Sequence, residues 1–396
     1  MKLTPVNTAI FTLGLVATIS PLYANDTFLT ARTVSVPYPR FLISGEGLAL
    51  KPLDQSTTYA TQTLSNASSP FKEYNLRPGY SGAYRLEGVF IVPNTRNDLT
   101  LNWMSFRNTT TDNALSSNSG SLSASLINTS NLSVPIDGSL YNISGPDSVD
   151  ARLAFKVQNA NLEYGQNFKA YRSDVRIHAG VGYASIRRSL SETAANAAPE
   201  AVFDGGEGGG AIVTAKPYSL KANQSSKFWG IGPRLGADLY YLLGKSSFSL
   251  VAHGSAALLA GTVNETFSVS DSNSVVDTTA SYAALVPNFN LRLGVGYSHA
   301  FGQNAGAEGG EGASISSVNT NRVLSIEAGW EVDDYIDPIR TGKYNSTAAA
   351  TGVVDGGEGG AVIAHANVSG AIVPNQDKWK SNLGLSGLYV KLSYLF

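Results

Sequence analysis

Apolar and polar side chains alternate residue by residue over several long stretches of this chain. In "DVRIHAGVGYASI", which starts at Asp174, the odd positions from Val175 to Tyr183 are apolar and the even positions are charged, small or polar. Successive side chains of a β-strand point to opposite faces, so this stretch is predicted to form a strand with one apolar face. "FWGIGPRLGADLYYLL" from Phe228 and the terminal "GLYVKLSYLF" from Gly387 repeat the pattern. The chain is therefore predicted to be all-β.

The connections between these stretches indicate how the strands are arranged. Short connections follow every second strand, at Pro93, around Tyr171 and at Gly244, and the others are long and rich in Ser, Asn, Thr and Gly. An antiparallel transmembrane β-barrel has short periplasmic turns at one rim and long extracellular loops at the other, whereas a soluble β-sandwich has no reason to separate them. The fold is predicted to be such a barrel, of about ten strands with twelve as the alternative. The expected long loops are 52–79, 108–149, 190–227, 262–286 and 333–383, and 302–321 is an exception, because it is long where a short turn is expected.

The amino terminus predicts export. Lys2 precedes an apolar run from Ala9 to Ile19, which is followed by Pro21 and a small residue at Ala24, the order found in a secretory signal peptide. Residues 1–24 are predicted to be a signal peptide and residues 25–396 an outer-membrane β-barrel. The bacterial outer membrane is the expected location.

Composition excludes several other classes of protein. The chain has no cysteine, so disulfides cannot stabilise it. Its formal net charge of −2 gives no basic field for nucleic acid, and no such partner is expected. The expected partners are outer-membrane lipid and lipopolysaccharide, the barrel-assembly machinery, and host or surface ligands bound through the loops.

No catalytic or cofactor motif stands out. The four histidines are isolated in sequence, "GIG" at Gly230 lacks the following helix of a dinucleotide site, and no metal or cofactor is expected. Glycine-glutamate strings at Asp204, Gly306 and Asp355 are interpreted as low-complexity loops in preference to calcium repeats. His178, close to Asp174, is the only indication of a hydrolase at the barrel mouth, and the protein is predicted not to be an enzyme.

The polar faces of the strands supply candidate pore-lining residues. If the apolar faces contact lipid, ten charged side chains point into the lumen: Arg85, Glu87, Arg152, Asp174, Arg176, Arg234, Asp238, Arg292, Glu327 and Glu331. Arg176, Arg234 and Arg292 are candidates for one basic stripe that would give the lumen a weak anion preference. A water-filled channel and a plug of salt bridges are both compatible with this set, because ten strands enclose little more space than the eight that side chains can fill. Tyr394 and Phe396, on the apolar face of the last strand, are the predicted assembly signal.

Several segments resemble the Legionella major outer membrane protein family, a group of pore-forming outer-membrane barrels. The resemblance lies in "LRPGYSGAYRLEG", "NDLTLNWMSF", "NANLEYGQNF", "FWGIGPRLGADLYYLLGKSSFSLVAHGSAALLAG" and "LSIEAGWEVDDY", which occur in the same order and span most of the mature chain. It implies a porin-like pore for passive diffusion of small hydrophilic solutes or ions. The alternative is a surface-exposed structural barrel or adhesin that uses its long loops.

Overall fold

The structure is a computed structural model of the chain, and it describes the strands and parts of several connections. The predicted signal peptide lies outside the described residues, as do the loop 302–321 and the three glycine-glutamate strings. The described residues contain no apolar helix long enough to cross a membrane. They are 39–54, 57–64, 71–116, 120–126, 133–136, 139–142, 145–170, 172–197, 200–203, 211–214, 218–244, 246–270, 275–301, 322–346, 350–353, 363–366 and 372–396.

A closed antiparallel barrel of ten strands forms the body of the molecule, as predicted. Each strand pairs with its neighbours in sequence, and the first strand closes the barrel by pairing with the last, with Ile43 opposite Tyr394. The strands are β1 (Arg40–Asp54), β2 (Ser81–Ile91), β3 (Asn97–Leu115), β4 (Ser148–Ala170), β5 (Ser173–Asn196), β6 (Tyr218–Leu242), β7 (Phe248–Ser270), β8 (Val275–Phe301), β9 (Arg322–Ser346) and β10 (Ile372–Leu395).

The strand register fixes the size of the barrel. A row of paired residues that starts at Tyr282 on β8 and passes through all ten strands returns to β8 at Gly294, 12 residues further along. With neighbouring strands ~4.8 Å apart, this stagger tilts the strands by about 40° and gives a backbone radius of about 10 Å. Side chains of medium length reach across much of such a lumen.

The two ends of the barrel differ as the sequence predicts. Short turns join β2 to β3, β4 to β5 and β6 to β7, and Asn94 and Gly244 adopt positive φ there. The strands extend further into the opposite connections than predicted. Residues 262–286, expected to be a loop, mostly form the ends of β7 and β8, so that only residues 271–274 connect the two strands. The polar alternation of these strand ends is weak, which explains why the sequence suggested a loop.

An apolar belt surrounds the half of the barrel nearest the short turns. Exposed outward side chains include Phe289, Leu291, Leu293, Val295 and Tyr297 on β8 and the alternate residues 388–396 on β10. Aromatic residues lie at both edges of the belt, which is the arrangement at the two interfaces of a membrane. On β5 the last exposed large apolar residue is Tyr183, and the strand continues for 13 residues beyond it. The barrel therefore extends well beyond the membrane on the side of the long connections.

The lumen is filled in two parts. Towards the short turns its wall carries buried charged side chains, and towards the long connections it carries one large apolar cluster. A small sheet of three strands (Thr58–Leu64, Phe71–Asn75 and Gly120–Ala124) adds the buried side chains Tyr59 and Leu122 to that cluster. Other connections form two-stranded pairs, which join Ser133–Ile136 to Ser139–Asn142, Glu200–Phe203 to Ala211–Thr214, and Ala350–Val353 to Ile363–Ala366.

Candidate functional site

The charged half of the lumen is held together by ion pairs between strands that are far apart in sequence. Arg85 of β2 contacts Glu46 of β1 at 3.0 Å and Glu331 of β9 at 2.6 Å. Arg292 of β8 bonds the same Glu46 carboxylate, and its guanidinium lies 4.3 Å from the centre of the Tyr389 ring. All four charged side chains are buried, so each cation is compensated by a carboxylate across the lumen.

A second group of charges centres on Arg176 of β5. Its guanidinium contacts Asp98 at 2.8 Å and Asp238 at 3.0 Å, and it lies 3.6 Å from Glu163. Glu163 also accepts a 2.8 Å bond from Arg234. Arg176 and Arg234 therefore share one acidic partner, and neither is a free cation facing a channel.

His253 of β7 connects the two groups. Its Nδ1 lies 2.9 Å from Asp238 and its Nε2 lies 3.0 Å from Glu327, which also accepts a 2.6 Å bond from the Tyr389 hydroxyl. His178 of β5 has its Nδ1 3.0 Å from Glu163. We call the complete set the lumen cluster: Glu46, Arg85, Glu87, Asp98, Glu163, Arg176, His178, Arg234, Asp238, His253, Arg292, Glu327, Glu331 and Lys391.

Inward glycines make room for these side chains. A Cβ atom at Gly165 would collide with the Arg176 guanidinium, and one at Gly236 would collide with the His178 ring. The space that the glycines leave is thus occupied by charged groups. One cavity beside His178 and His253 has a volume of ≈ 60 Å³, and another beside Glu327 and Lys391 has a volume of ≈ 70 Å³. Each has room for a few water molecules and is too small for a sugar.

An apolar arc lies in the lumen on the extracellular side of the lumen cluster. Paired residues on six adjacent strands, β2 to β7, point inward and are buried, and all except Ala83 are fully buried. On β5 and β6 alike, these apolar residues follow the charged ones in the extracellular direction. The arc consists of Ala83, Phe106, Val157, Ile186, Phe228 and Val263.

Two buried acid contacts lie further out, beyond the membrane belt. Arg188 of β5 pairs with Asp54 at 2.7 Å, and Ser381 donates a second 2.7 Å bond to Asp54. Glu192, nine residues beyond Tyr183, accepts a 2.6 Å bond from the Ser125 hydroxyl and a 2.8 Å bond from the Leu126 amide. Burial raises the pKa of Glu192 from 4.5 to about 7, although Ser125, Leu126 and Arg188 act in the opposite direction. Glu192 thus fastens a loop segment over the barrel mouth.

The structure places nine of the ten predicted pore-lining residues on the inner face. Eight belong to the lumen cluster, and Asp174 is buried nearer the short turns. Arg152 is the exception, because it lies on the outer face of β4 and is exposed, while Ala151 and Leu153 point inward. The inner face of β4 is apolar at this level, and the polar side chain points outward. The assumption that polar side chains face the lumen holds nearer the short turns and fails here. The three arginines expected to form a basic stripe are instead paired with carboxylates, Arg176 and Arg234 with Glu163 and Arg292 with Glu46.

The predicted assembly residues lie where the sequence suggests. Tyr394 and Phe396 point outward and are 38% and 53% exposed. Phe396 stacks on Tyr394 and on Phe41 of β1, and its backbone is hydrogen-bonded to that of Phe41. The aromatic end therefore lies at the closing seam of the barrel. Leu395, which interrupts the alternation, points inward and packs with Leu42.

Sequence reasoning missed several members of the lumen cluster. Glu46 lies on β1, whose inner face also carries Leu48 and Leu50, so both faces of that strand look apolar. Asp98 falls in the short connection predicted at Pro93, and Lys391 lies on the polar face of the last strand. Extending the inward positions of β1, β3 and β10 to the turns finds Glu46, Asp98 and Lys391. Glu163 could not be found in this way, because the assignment of Arg152 to the inner face of β4 puts Glu163 on the outer face.

Comparisons with known proteins find one matching family and several solved structures. The profile of the family described as Legionella pneumophila major outer membrane protein precursor matches residues 33–396. Among solved structures, the outer membrane protease OmpT from Escherichia coli is 10% identical, with coverage of 90% of this chain and 96% of that one and a TM-score of 0.37. A FadL homologue of Pseudomonas aeruginosa is 9% identical, with 90% of each chain covered and a TM-score of 0.22. The comparison with curated proteins yields no similar sequence.

Proposed function

Because the chain belongs to the Legionella major outer membrane protein family and folds as an outer-membrane β-barrel, we propose that it is a narrow ion pore whose lumen is closed in the conformation described here. The observation that carries the proposal is the lumen cluster, which places 14 ionisable side chains along one route through the membrane. Charged side chains inside a membrane protein commonly mark an ion pathway. The apolar arc lies across that route and acts as the closed gate, since apolar constrictions block ions by excluding water.

The dimensions support small ions as the permeating species. A backbone radius of about 10 Å and two cavities of ≈ 70 and ≈ 60 Å³ leave no room for a hydrated sugar. In the lumen cluster seven carboxylates face five Arg and Lys side chains, and the two histidines lie between carboxylates. We therefore expect a weak preference for cations that fades as salt screens the charges over about 8 to 10 Å.

Planar-bilayer recording tests the pore directly. The folded wild-type protein is expected to show brief, low-conductance openings. Phe228→Ala removes one of the two phenylalanine rings of the apolar arc. This variant is expected to open more often, because water enters the widened gate. Phe289→Ala is the matched control, since Phe289 is 52% exposed on the lipid face of β8 and should leave the openings unchanged.

A second candidate function is a closed structural barrel or adhesin. The filled lumen favours it, as do the paired strands that the extracellular connections carry beyond the barrel rim. Folded wild-type protein that never conducts, together with a Phe228→Ala variant that does, would support this candidate and contradict the pore, because the variant alone would then have created the hole.

We also propose that the protein is not an enzyme. His178 is buried between Glu163 and Asp238 on the periplasmic side of the apolar arc, where a substrate at the extracellular mouth does not reach it. Purified protein is expected to lack esterase and peptidase activity. Activity that His178→Ala abolishes would contradict this.

A further inference from the structure

Four basic side chains form one row on the outer surface of the barrel. In the strand register Arg107 of β3 pairs with Lys156 of β4, Lys156 with Arg187 of β5, and Arg187 with Lys227 of β6. All four point outward, and all except the half-buried Lys156 are exposed. Neighbouring strands are ~4.8 Å apart, so the four charges lie within about 14 Å. We call this set the basic row.

The basic row has no partner in the described part of the protein. None of its four side chains forms an ion pair or hydrogen bond with another described residue. Like charges directly opposite each other on neighbouring strands destabilise a sheet. The row therefore weakens the isolated barrel, and an external anion that binds all four charges would offset this cost.

The height of the row matches the outer edge of the membrane. Trp229 lies two residues from Lys227 towards the periplasm and is 44% exposed, and Tyr183 and Trp103 lie four residues from Arg187 and Arg107. Tyr and Trp collect at the interface between lipid and water. The basic row thus lies outside the hydrocarbon, and because it runs perpendicular to strands tilted by about 40°, it spans about 9 Å of height through the head groups of the extracellular leaflet.

The row is confined to one side of the barrel. Its next positions, Asn264 on β7 and Ser281 on β8, are uncharged, and further along the same side the outward residues Asp277 and Asp334 are acidic. The positive charge of the outer surface is therefore concentrated in one patch on β3 to β6. Such a patch favours binding of an individual anionic molecule over a general attraction between the barrel and the leaflet.

We propose that the basic row binds the phosphate groups of a phosphorylated glycolipid in the outer leaflet. Arginine binds phosphate oxygens through two parallel N–H bonds and lysine binds them as a point charge, so the row can hold phosphates at both of its ends. The acyl chains of the same molecule would lie on the apolar belt below Trp229. This assigns a defined lipid site to β3–β6 and is independent of whether the lumen conducts.

The test compares binding of a bis-phosphorylated lipid A-type glycolipid to the folded full-length protein and to two charge-matched variants in zwitterionic detergent. One variant carries R107Q, K156Q, R187Q and K227Q. The control carries K51Q, R77Q, K221Q and R322Q, which remove four charges outside the row. The row variant is expected to bind at least tenfold more weakly, and the control within twofold of the wild type. Heat-modifiable gel mobility shows that each variant is folded, and the pair R187Q and K227Q serves if the fourfold variant does not fold.

Further arms distinguish the source of the phosphate. The same glycolipid without its phosphates is expected to bind the wild type at least tenfold more weakly, and millimolar inorganic phosphate is expected not to displace the intact lipid. Equal binding of the row variant and the wild type, or an equal loss in the control, would overturn the proposal. Tighter binding of soluble polyphosphate than of the glycolipid would also overturn it, because the row would then be a site for soluble polyanions.

Discussion

Glu192 makes the stability of the extracellular half dependent on pH. Its carboxyl is buried on β5 beneath residues 125–126, and this burial raises its pKa from 4.5 in the unfolded chain to about 7. The folded state therefore binds the proton more tightly than the unfolded state between these two values. The contribution of Glu192 to the free energy of unfolding is therefore largest below pH 4.5, falls as pH rises to about 7, and is absent above that pH. A shift of this size corresponds to about 3 kcal/mol.

The perturbation is Glu192→Gln, which removes the titration and keeps the size of the side chain. We expect chemical unfolding in lipid vesicles at pH 4.5 and pH 8 to show a smaller change with pH in the variant than in the wild type, by about 3 kcal/mol. Comparing the two proteins cancels the contributions of other titrating groups. Glu73→Gln is the control, because Glu73 is exposed on the strand Phe71–Asn75. Equal pH dependence in wild type and Glu192→Gln, or a larger loss of stability with rising pH in the variant than in the wild type, would refute the reasoning.

Three other predictions concern stability and assembly. Arg188→Met should lower the free energy of unfolding by about 3–5 kcal/mol, because it leaves Asp54 buried and uncompensated, and adding Asp54→Asn should restore most of the loss in the same unfolding assay. Phe228→Ala should cost about 3–5 kcal/mol by leaving a cavity, measured by chemical unfolding, whereas Phe289→Ala on the lipid face should cost clearly less. Phe396 stacks on Phe41 at the closing seam, and deleting it should reduce folded protein in the outer membrane without blocking secretion. Cell fractionation and heat-modifiable gel mobility measure this, and normal levels of folded protein would show that the seam closes without Phe396.

The sequence was sufficient to predict the barrel and most of its inward side. Alternation places Arg85, Arg176 and Arg234 on the inner face of their strands, because in the membrane one face of each strand contacts hydrocarbon and the other does not. Beyond the membrane this contrast disappears, since the outer face contacts water and the inner face packs against other side chains. Arg152 lies in that region and was assigned to the wrong face for this reason.

Partners across the lumen could not be predicted from alternation. The contact between Glu46 and Arg85 follows from pairing of β1 with β2, but the contact between Arg85 and Glu331 joins strands 246 residues apart and depends on the closure and stagger of the barrel. Register is set by the sum of many backbone pairings, which no local pattern encodes. The filled lumen was for the same reason only one of two open alternatives.

The length of the strands gives this barrel two different sources of stability. β8 has 27 residues and at a tilt of about 40° spans roughly 70 Å, about twice the ~30 Å of a hydrocarbon core. Within the membrane every backbone polar group must be hydrogen-bonded inside the barrel, because lipid offers no partner. The outward side chains there contact lipid in the folded barrel and also in a chain that is inserted but not folded. In the extracellular half, unfolding exposes the apolar cluster around Phe155 and Phe267 to water and thus raises the heat capacity. The extracellular half should consequently weaken on cooling in the manner of a water-soluble domain, while the membrane half does not.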